Sequence, residues 1–327
     1  MKAWQLSRYG APEEVLEFAD VPRPLPGPGQ LLVRVLQAAA NFPDVLMCGG
    51  TYQVKPPLPF TPGAELCGEV IELGAGTAGF AAGDRVMGGA ALPAGGFAEY
   101  ALMDAARSFA VPRALDDAEA APFTVTYQTG WFGLHRRAAL KAGETLLVHA
   151  AAGGVGSGAV QLGKAAGARV IGVVGGPEKA ALAYELGADV VIDRYQQDFV
   201  PVVKEFTGGR GADVVYDPVG GEAFARSTKC IAFEGRIVIV GFASGTIPSA
   251  ALNHALVKNY SILGLHWGLY EKLDPSAVVE CQAELARLAT DGLIRTVISE
   301  RLALSDVPSG LRRLGAGSTV GRIVFRP

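Results

Sequence analysis

Charge is scarce in this 327-residue chain: 19 % of residues are Asp, Glu, Lys or Arg, and the formal net charge is −3. No run of lysines and arginines occurs, so the basic stripe that nucleic-acid binding requires is missing and acidic membrane surfaces are poor partners. Long apolar runs are missing too. Stretches such as Thr145–Ala152 fall far short of the ~20 residues needed to span a bilayer, and charges interrupt the longer ones. Residues 1–10 lack the apolar core of a secretory signal. A soluble cytoplasmic protein is expected. Cysteine is limited to Cys48, Cys67, Cys230 and Cys281, far apart and without a C-x-x-C pair, which argues for reduced, buried thiols rather than a disulfide framework.

What is abundant is apolar surface and glycine. Half the residues are hydrophobic and 43 are glycine, and the mean hydropathy is +0.27. The length exceeds one ordinary domain of roughly 100–200 residues, so two domains with a cleft between them are expected. The first third reads as short strands, Lys2–Leu6, Gln30–Ala38, Glu69–Leu73 and Arg85–Val86, with Pro22, Pro24, Pro26 and Pro28 as a rigid connector; a barrel or sandwich follows. From Thr145 the rhythm becomes β-α: strands at Thr145–Ala150, Arg169–Val174, Val190–Asp193, Asp213–Asp217, Arg236–Gly241 and Tyr260–Gly264, with helical segments such as Val155–Gly167 and Pro177–Leu186. This predicts a parallel, doubly wound sheet. After Gly264 come a helix at Pro275–Asp291 and a strand at Arg322–Arg326 that cannot continue the rhythm. Residues 1–122 and 265–327 are therefore expected to form one domain around an inserted domain of residues 123–264.

The strand Thr145–Ala150 runs into Ala151-Ala152-Gly153-Gly154-Val155-Gly156 and then a helix, the context of a dinucleotide-binding turn. Gly153 leaves room for a pyrophosphate, Gly156 permits close helix–strand packing, and the helix amino terminus offers free N–H groups. Ala151 stands where the first glycine of the pattern belongs. A site selective for NAD places a carboxylate at the end of the second strand; here the strand ends Val173-Val174-Gly175-Gly176. Lys179 and Arg194 are available for a 2′-phosphate, so NADPH is the expected cofactor.

With these pieces placed, the chain resembles the medium-chain dehydrogenase/reductase superfamily, and within it the zinc-independent, zeta-crystallin-like quinone oxidoreductases. The segments that carry the resemblance are Ala150–Gly156, Gln161, Asn41–Asp44, Pro62–Glu65 and Gly83–Val86. The resemblance implies an α/β fold: a GroES-like β-barrel catalytic domain plus an inserted Rossmann doubly wound parallel-sheet domain. The superfamily's zinc alcohol dehydrogenases carry Cys and His where this chain has Asn41 and Ala64. Their four-cysteine lobe is also missing, since no cysteine lies between Met87 and Ala106. No metal is therefore expected.

By resemblance, Asn41, Asp44 and Tyr52 line the catalytic site, with Tyr52 matching the proton-donating tyrosine proposed for related enoyl thioester reductases. Phe42, Phe60, His266 and Trp267 are candidate substrate contacts. The cofactor is expected to meet Tyr127, Thr129, Ala152, Gly153, Gly154, Val155, Gly156, Gly175, Lys179, Arg194, Tyr195, Val219, Gly241, Phe242 and Ala243. Gly317 stands near the place of an arginine that relatives direct to the 2′-phosphate, and Arg322, close by, is expected to be a further cofactor contact.

Three functions follow: reduction of a hydrophobic quinone, reduction of an activated C=C bond in an enone or enoyl thioester, and cofactor binding without turnover. A homodimer is expected through the strands within Arg236–Gly264, where relatives pair edge to edge.

Overall fold

Short strands with alternating burial build one compact unit, residues 1–125 with 295–327, of the computed structural model, which describes residues 1–327. Its first six strands are β1 (Lys2–Leu6), β2 (Leu16–Asp20), β3 (Gln30–Ala39), β4 (Glu65–Leu73), β5 (Arg85–Ala90) and β6 (Tyr100–Ala110). The other unit, residues 126–294, carries β7 (Thr145–His149), β8 (Arg169–Val174), β9 (Val190–Asp193), β10 (Ala212–Asp217), β11 (Ile231–Ile239) and β12 (Ser261–Gly264). Strands β13 (Ile298–Ala303) and β14 (Arg322–Arg326) belong to the first unit again.

In the first unit β3 is antiparallel to β4 and to β6, and β5 bridges β4 and β6, so four strands close into a ring. Closure leaves those strands without a free edge. β14 adds to β3 at Ala38 and Ala39, with β13 parallel on its outer side. The interior is filled by Leu31, Val33, Val35, Leu66, Val70, Val86, Phe97, Met103 and Phe325. Phe97 and Phe325 meet edge to face at 5.5 Å between centroids, a preferred aromatic geometry.

The second unit holds six parallel strands in the order β12-β11-β10-β7-β8-β9. Helices cover them on the crossovers, among them Gly154–Ala165, Pro177–Glu185 and Gly221–Ser227. Both faces being covered explains why Leu146–Val148 of β7 and Val214–Tyr216 of β10 are consecutive apolar residues buried on both sides. The chain winds outward from β7 to β9, then restarts on the other side of β7 with β10. The crevice at the carboxyl ends of β7 and β10 is the topological switch point, where sheets of this kind bind ligands.

The sequence boundary at 265 falls 30 residues too early, because the second unit extends to Ile294. The helix Pro275–Thr290 buries Ala277, Val278, Cys281, Leu285 and Leu288. Within the same unit Gln128 Nε2 donates to Gln282 Oε1 and Trp131 Nε1 to Glu284 Oε2, each at 2.8 Å. Loss of the β-α rhythm marks the end of the sheet, while the unit continues as helix. No helix is long and apolar enough to cross a membrane.

Candidate active site

β7 ends in a turn in which Ala150 adopts a left-handed backbone, φ 51°, and its carbonyl accepts from Gly153 N at 2.8 Å. A Cβ on Gly156 would lie 2.1 Å from that same carbonyl oxygen, so only glycine lets the helix Gly154–Ala165 begin so close to the strand. Ala151, in place of the expected glycine, fits because Gly172 on β8 faces it: a Cβ there would come within 2.9 Å of the Ala151 methyl. The helix begins at Gly153 with no side-chain cap and no acidic residue in its first turn. Its N–H groups and positive dipole end are thus left for an anion, as a pyrophosphate requires. Ala152 is buried beneath the turn, while Gly153, Gly154 and Val155 are half-buried.

A second group assembles beyond β8. The Tyr195 ring lies over Gly175, where a Cβ would meet it at 2.9 Å. Arg194 stacks on that ring at 5.1 Å and its Nη2 donates to the Tyr195 hydroxyl at 3.2 Å. The guanidinium holds the phenol below its ordinary pKa. Lys179 is lowered as well, first by burial and then by the Arg194 charge, which places the two cations in one field. Asp193 closes β9. Its Oδ1 accepts from Gly176 N and Tyr195 N at 2.9 and 3.0 Å, tying the two loops together and occupying the nearest carboxylate with backbone rather than ribose.

At the switch point Asp217 Oδ1 accepts from Val219 N and Gly220 N at 2.8 and 2.9 Å. Ala243 N donates to Pro218 O at 3.0 Å. Val219, Gly241, Phe242 and Ala243 therefore form two joined loops after β10 and β11. On the helix Phe123–Trp131, the Thr129 hydroxyl is buried without a hydrogen-bond partner, an orphan that a ligand can satisfy. Tyr127 is fully buried and its hydroxyl accepts from Gln161 Nε2 at 3.0 Å; it supports the site from beneath instead of lining it. His266 is exposed and Trp267 half-buried just after β12.

In the first unit the expected residues separate into working and supporting groups. Asp44 is fully buried. It accepts from Asn41 N at 2.9 Å, Gly63 N at 3.2 Å and Ala64 N at 3.0 Å. Burial pushes its carboxyl up to about 7 against the pull of those donors. It holds two loops together and is not a group that meets substrate. Phe60, expected as a substrate contact, is 2 % exposed in the barrel core. Phe42 is half-buried at the start of the helix Phe42–Cys48. Tyr52 is half-buried against the core, and burial, followed by the Asp44 charge, raises its phenol above the ordinary value. Its proton therefore stays on at neutral pH.

Arg322 moves furthest from its expected role. It is 6 % exposed, its Nη2 donating to Asn41 Oδ1 at 2.7 Å and lying 3.5 Å from Glu65 Oε2. Asn41 Nδ2 donates to that same carboxylate oxygen at 3.0 Å. Glu65 Oε1 takes Thr124 Oγ1 at 2.5 Å and Val125 N at 2.7 Å. The guanidinium is committed to a buried cluster around Asn41 rather than to a phosphate.

Family models match both parts of the chain: the alcohol dehydrogenase GroES-like domain at residues 27–113 and the zinc-binding dehydrogenase at residues 154–283. A quinone oxidoreductase-like protein 2 homolog of Nematostella vectensis is 38 % identical over 301 residues, covering 91 % of this chain and 82 % of the relative. Escherichia coli quinone oxidoreductase complexed with NADPH superposes with a TM-score of 0.92 at 30 % identity, covering 100 % of both chains. A probable oxidoreductase from Mycobacterium abscessus gives 0.89 at 37 % identity, covering 100 % of this chain and 99 % of its own. With the ring of strands, the switch-point crevice and the uncapped glycine turn in place, this chain belongs to the medium-chain dehydrogenase/reductase superfamily, among its quinone oxidoreductase-like members.

Proposed function

We propose that the protein is a zinc-independent, NADPH-dependent oxidoreductase that reduces a quinone-type acceptor. The observation that carries this reading is Asn41. At a position where the superfamily's alcohol dehydrogenases hold a thiolate ligand, it is a neutral amide whose oxygen is gripped by Arg322 and whose nitrogen donates to Glu65. A carboxamide so bound is a hydrogen-bond donor and not a metal ligand. On the cofactor side the uncapped helix Gly154–Ala165 suits a pyrophosphate, and Lys179 and Arg194 suit a 2′-phosphate. The NADPH complexes of relatives point the same way.

When bound, NADPH supplies the hydride that, with one proton, turns a quinone into a hydroquinone. The chain's own task is to orient and to stabilise: Asn41 and Tyr52 donate hydrogen bonds to an acceptor oxygen as it gains negative charge, and the half-buried Phe42 beside Asn41 in the chain offers an apolar flank. The protonated phenol of Tyr52 favours one second reading, reduction of an activated C=C bond, in which an enolate needs a proton donor. Replacing Tyr52 by Phe is expected to cost enone reduction roughly 10²-fold or more in kcat and quinone reduction far less. Steady-state rates on a quinone panel and an enone panel check this; small, equal losses on both would remove the donor role. NADPH binding without turnover on any acceptor would leave a binding protein.

The reading includes a homodimer. β12 is an edge strand paired only with β11, and nearby Phe233, Leu256 and Val257 are 70 %, 76 % and 76 % exposed. That much exposed apolar surface beside an open edge fits a second copy of the chain. A mass of one chain by light scattering across concentrations would remove it. The four cysteines are free and buried, which supports a reducing, cytoplasmic setting.

A further inference from the structure

The cluster around Asn41 has an asymmetry that a merely structural ion pair would not need. An ionised carboxylate only accepts hydrogen bonds, a guanidinium only donates, and a primary amide does one at each end. Arg322 Nη2 faces Asn41 Oδ1 at 2.7 Å and Glu65 Oε2 faces Asn41 Nδ2 at 3.0 Å. Turning the amide over would set oxygen against carboxylate and N–H against guanidinium, losing two charge-assisted bonds. Glu65 cannot swing away, because Thr124 Oγ1 and Val125 N hold its other oxygen. All four side chains are nine-tenths or more buried, and the pair neutralises itself. The amide thus has one orientation.

We propose that Glu65 and Arg322 are positioning residues for the reaction: together they lock the Asn41 carboxamide so that its uncommitted N–H is a fixed donor to the acceptor oxygen. This rests on the reading that Asn41 faces the acceptor.

The test is a kinetic cycle with NADPH and a soluble quinone, using Asn41→Ala, the charge-matched pair Glu65→Gln with Arg322→Met, and the three changes combined. Removing both charges avoids leaving one buried alone. Asn41→Ala is expected to lower kcat about 10²-fold, the scale for one preorganised donor, and the pair roughly 10-fold, with the dissociation constant of NADPH unchanged. The decisive expectation is non-additivity: the combined variant is no slower than Asn41→Ala, because the pair acts only through Asn41. Arg322→Lys serves if the pair fails to fold. It keeps the charge but not the planar fork, and its several-fold kcat loss should likewise vanish in the Asn41→Ala background. Losses that multiply in the combined variants, or a pair variant with full kcat beside an impaired Asn41→Ala, would overturn the positioning role. An Asn41→Ala enzyme with full kcat would overturn the reading of Asn41 itself, and the positioning role with it.

Discussion

Replacing Lys179 and Arg194 together by alanine is expected to raise the KM for NADPH about 10²-fold while leaving that for NADH nearly unchanged. In the proposed site each cation would contribute a charge-assisted contact to a 2′-phosphate. Such contacts are worth ~1.5–3 kcal/mol each, and the half-open setting of Lys179 and the exposed Arg194 call for the lower end. Two contacts at that end sum to ~3 kcal/mol, or two decades of affinity. The fold should survive, because the loops are tied by Asp193 through Gly176 N and Tyr195 N rather than by the cations. Lys179 is already lowered by burial and by Arg194; an arriving dianionic phosphate relieves that repulsion. Equal losses for both cofactors would mean that the two residues hold the site's shape and that the phosphate is read elsewhere.

The second large effect is expected at Gly156. A valine there brings a Cβ to 2.1 Å from the Ala150 carbonyl oxygen and 2.7 Å from its carbon, both backbone atoms with nowhere to go. The helix must back away from the strand, which costs ~1–3 kcal/mol as overpacking and more if the turn unravels. The same displacement carries off the N–H groups of the first turn, so NADPH binding should fall by more than ~10²-fold, beyond what the stability loss explains. Thermal melting and a NADPH titration on the same sample separate the two effects. A Gly156→Val protein that melts lower yet binds NADPH normally would show that the turn does not hold the pyrophosphate.

How much of this was legible in the sequence follows from how local each feature is. β1, β8, β9 and β14 have the bounds that their apolar runs suggest, because a run flanked by turn residues decides a strand locally. β6 (Tyr100–Ala110) was missed: its Ala-Ala-Arg-Ser stretch has little strand preference, and its pairing with β3 and β5 comes from the ring. β13 was missed too, since Ile298–Ala303 alternates with only a half-buried inner face and follows a loop that resembles its surroundings. The glycine turn was readable because its chemistry sits within seven consecutive residues. The Asn41 cluster was not, since Arg322 lies 281 positions from Asn41 and nothing in either neighbourhood announces the other. Asp44 belongs to the Asn41–Asp44 segment that carries the resemblance and Phe60 is an apolar candidate, but the burial of both is a tertiary fact. Cys67 has its thiol beside Asp117 and pushed up by burial, an inert core group.

The central claim is hydride transfer from NADPH to a quinone with no metal taking part, and one measurement meets it directly. Purified protein, treated exhaustively with a strong chelator and analysed for residual metal, is mixed with NADPH and a soluble quinone while nicotinamide absorbance is followed. The expected result is undiminished NADPH oxidation, with hydroquinone formed mole for mole and with NADH a far poorer donor. Activity that disappears with the metal and returns on adding zinc, or an absence of turnover despite bound NADPH, would contradict it.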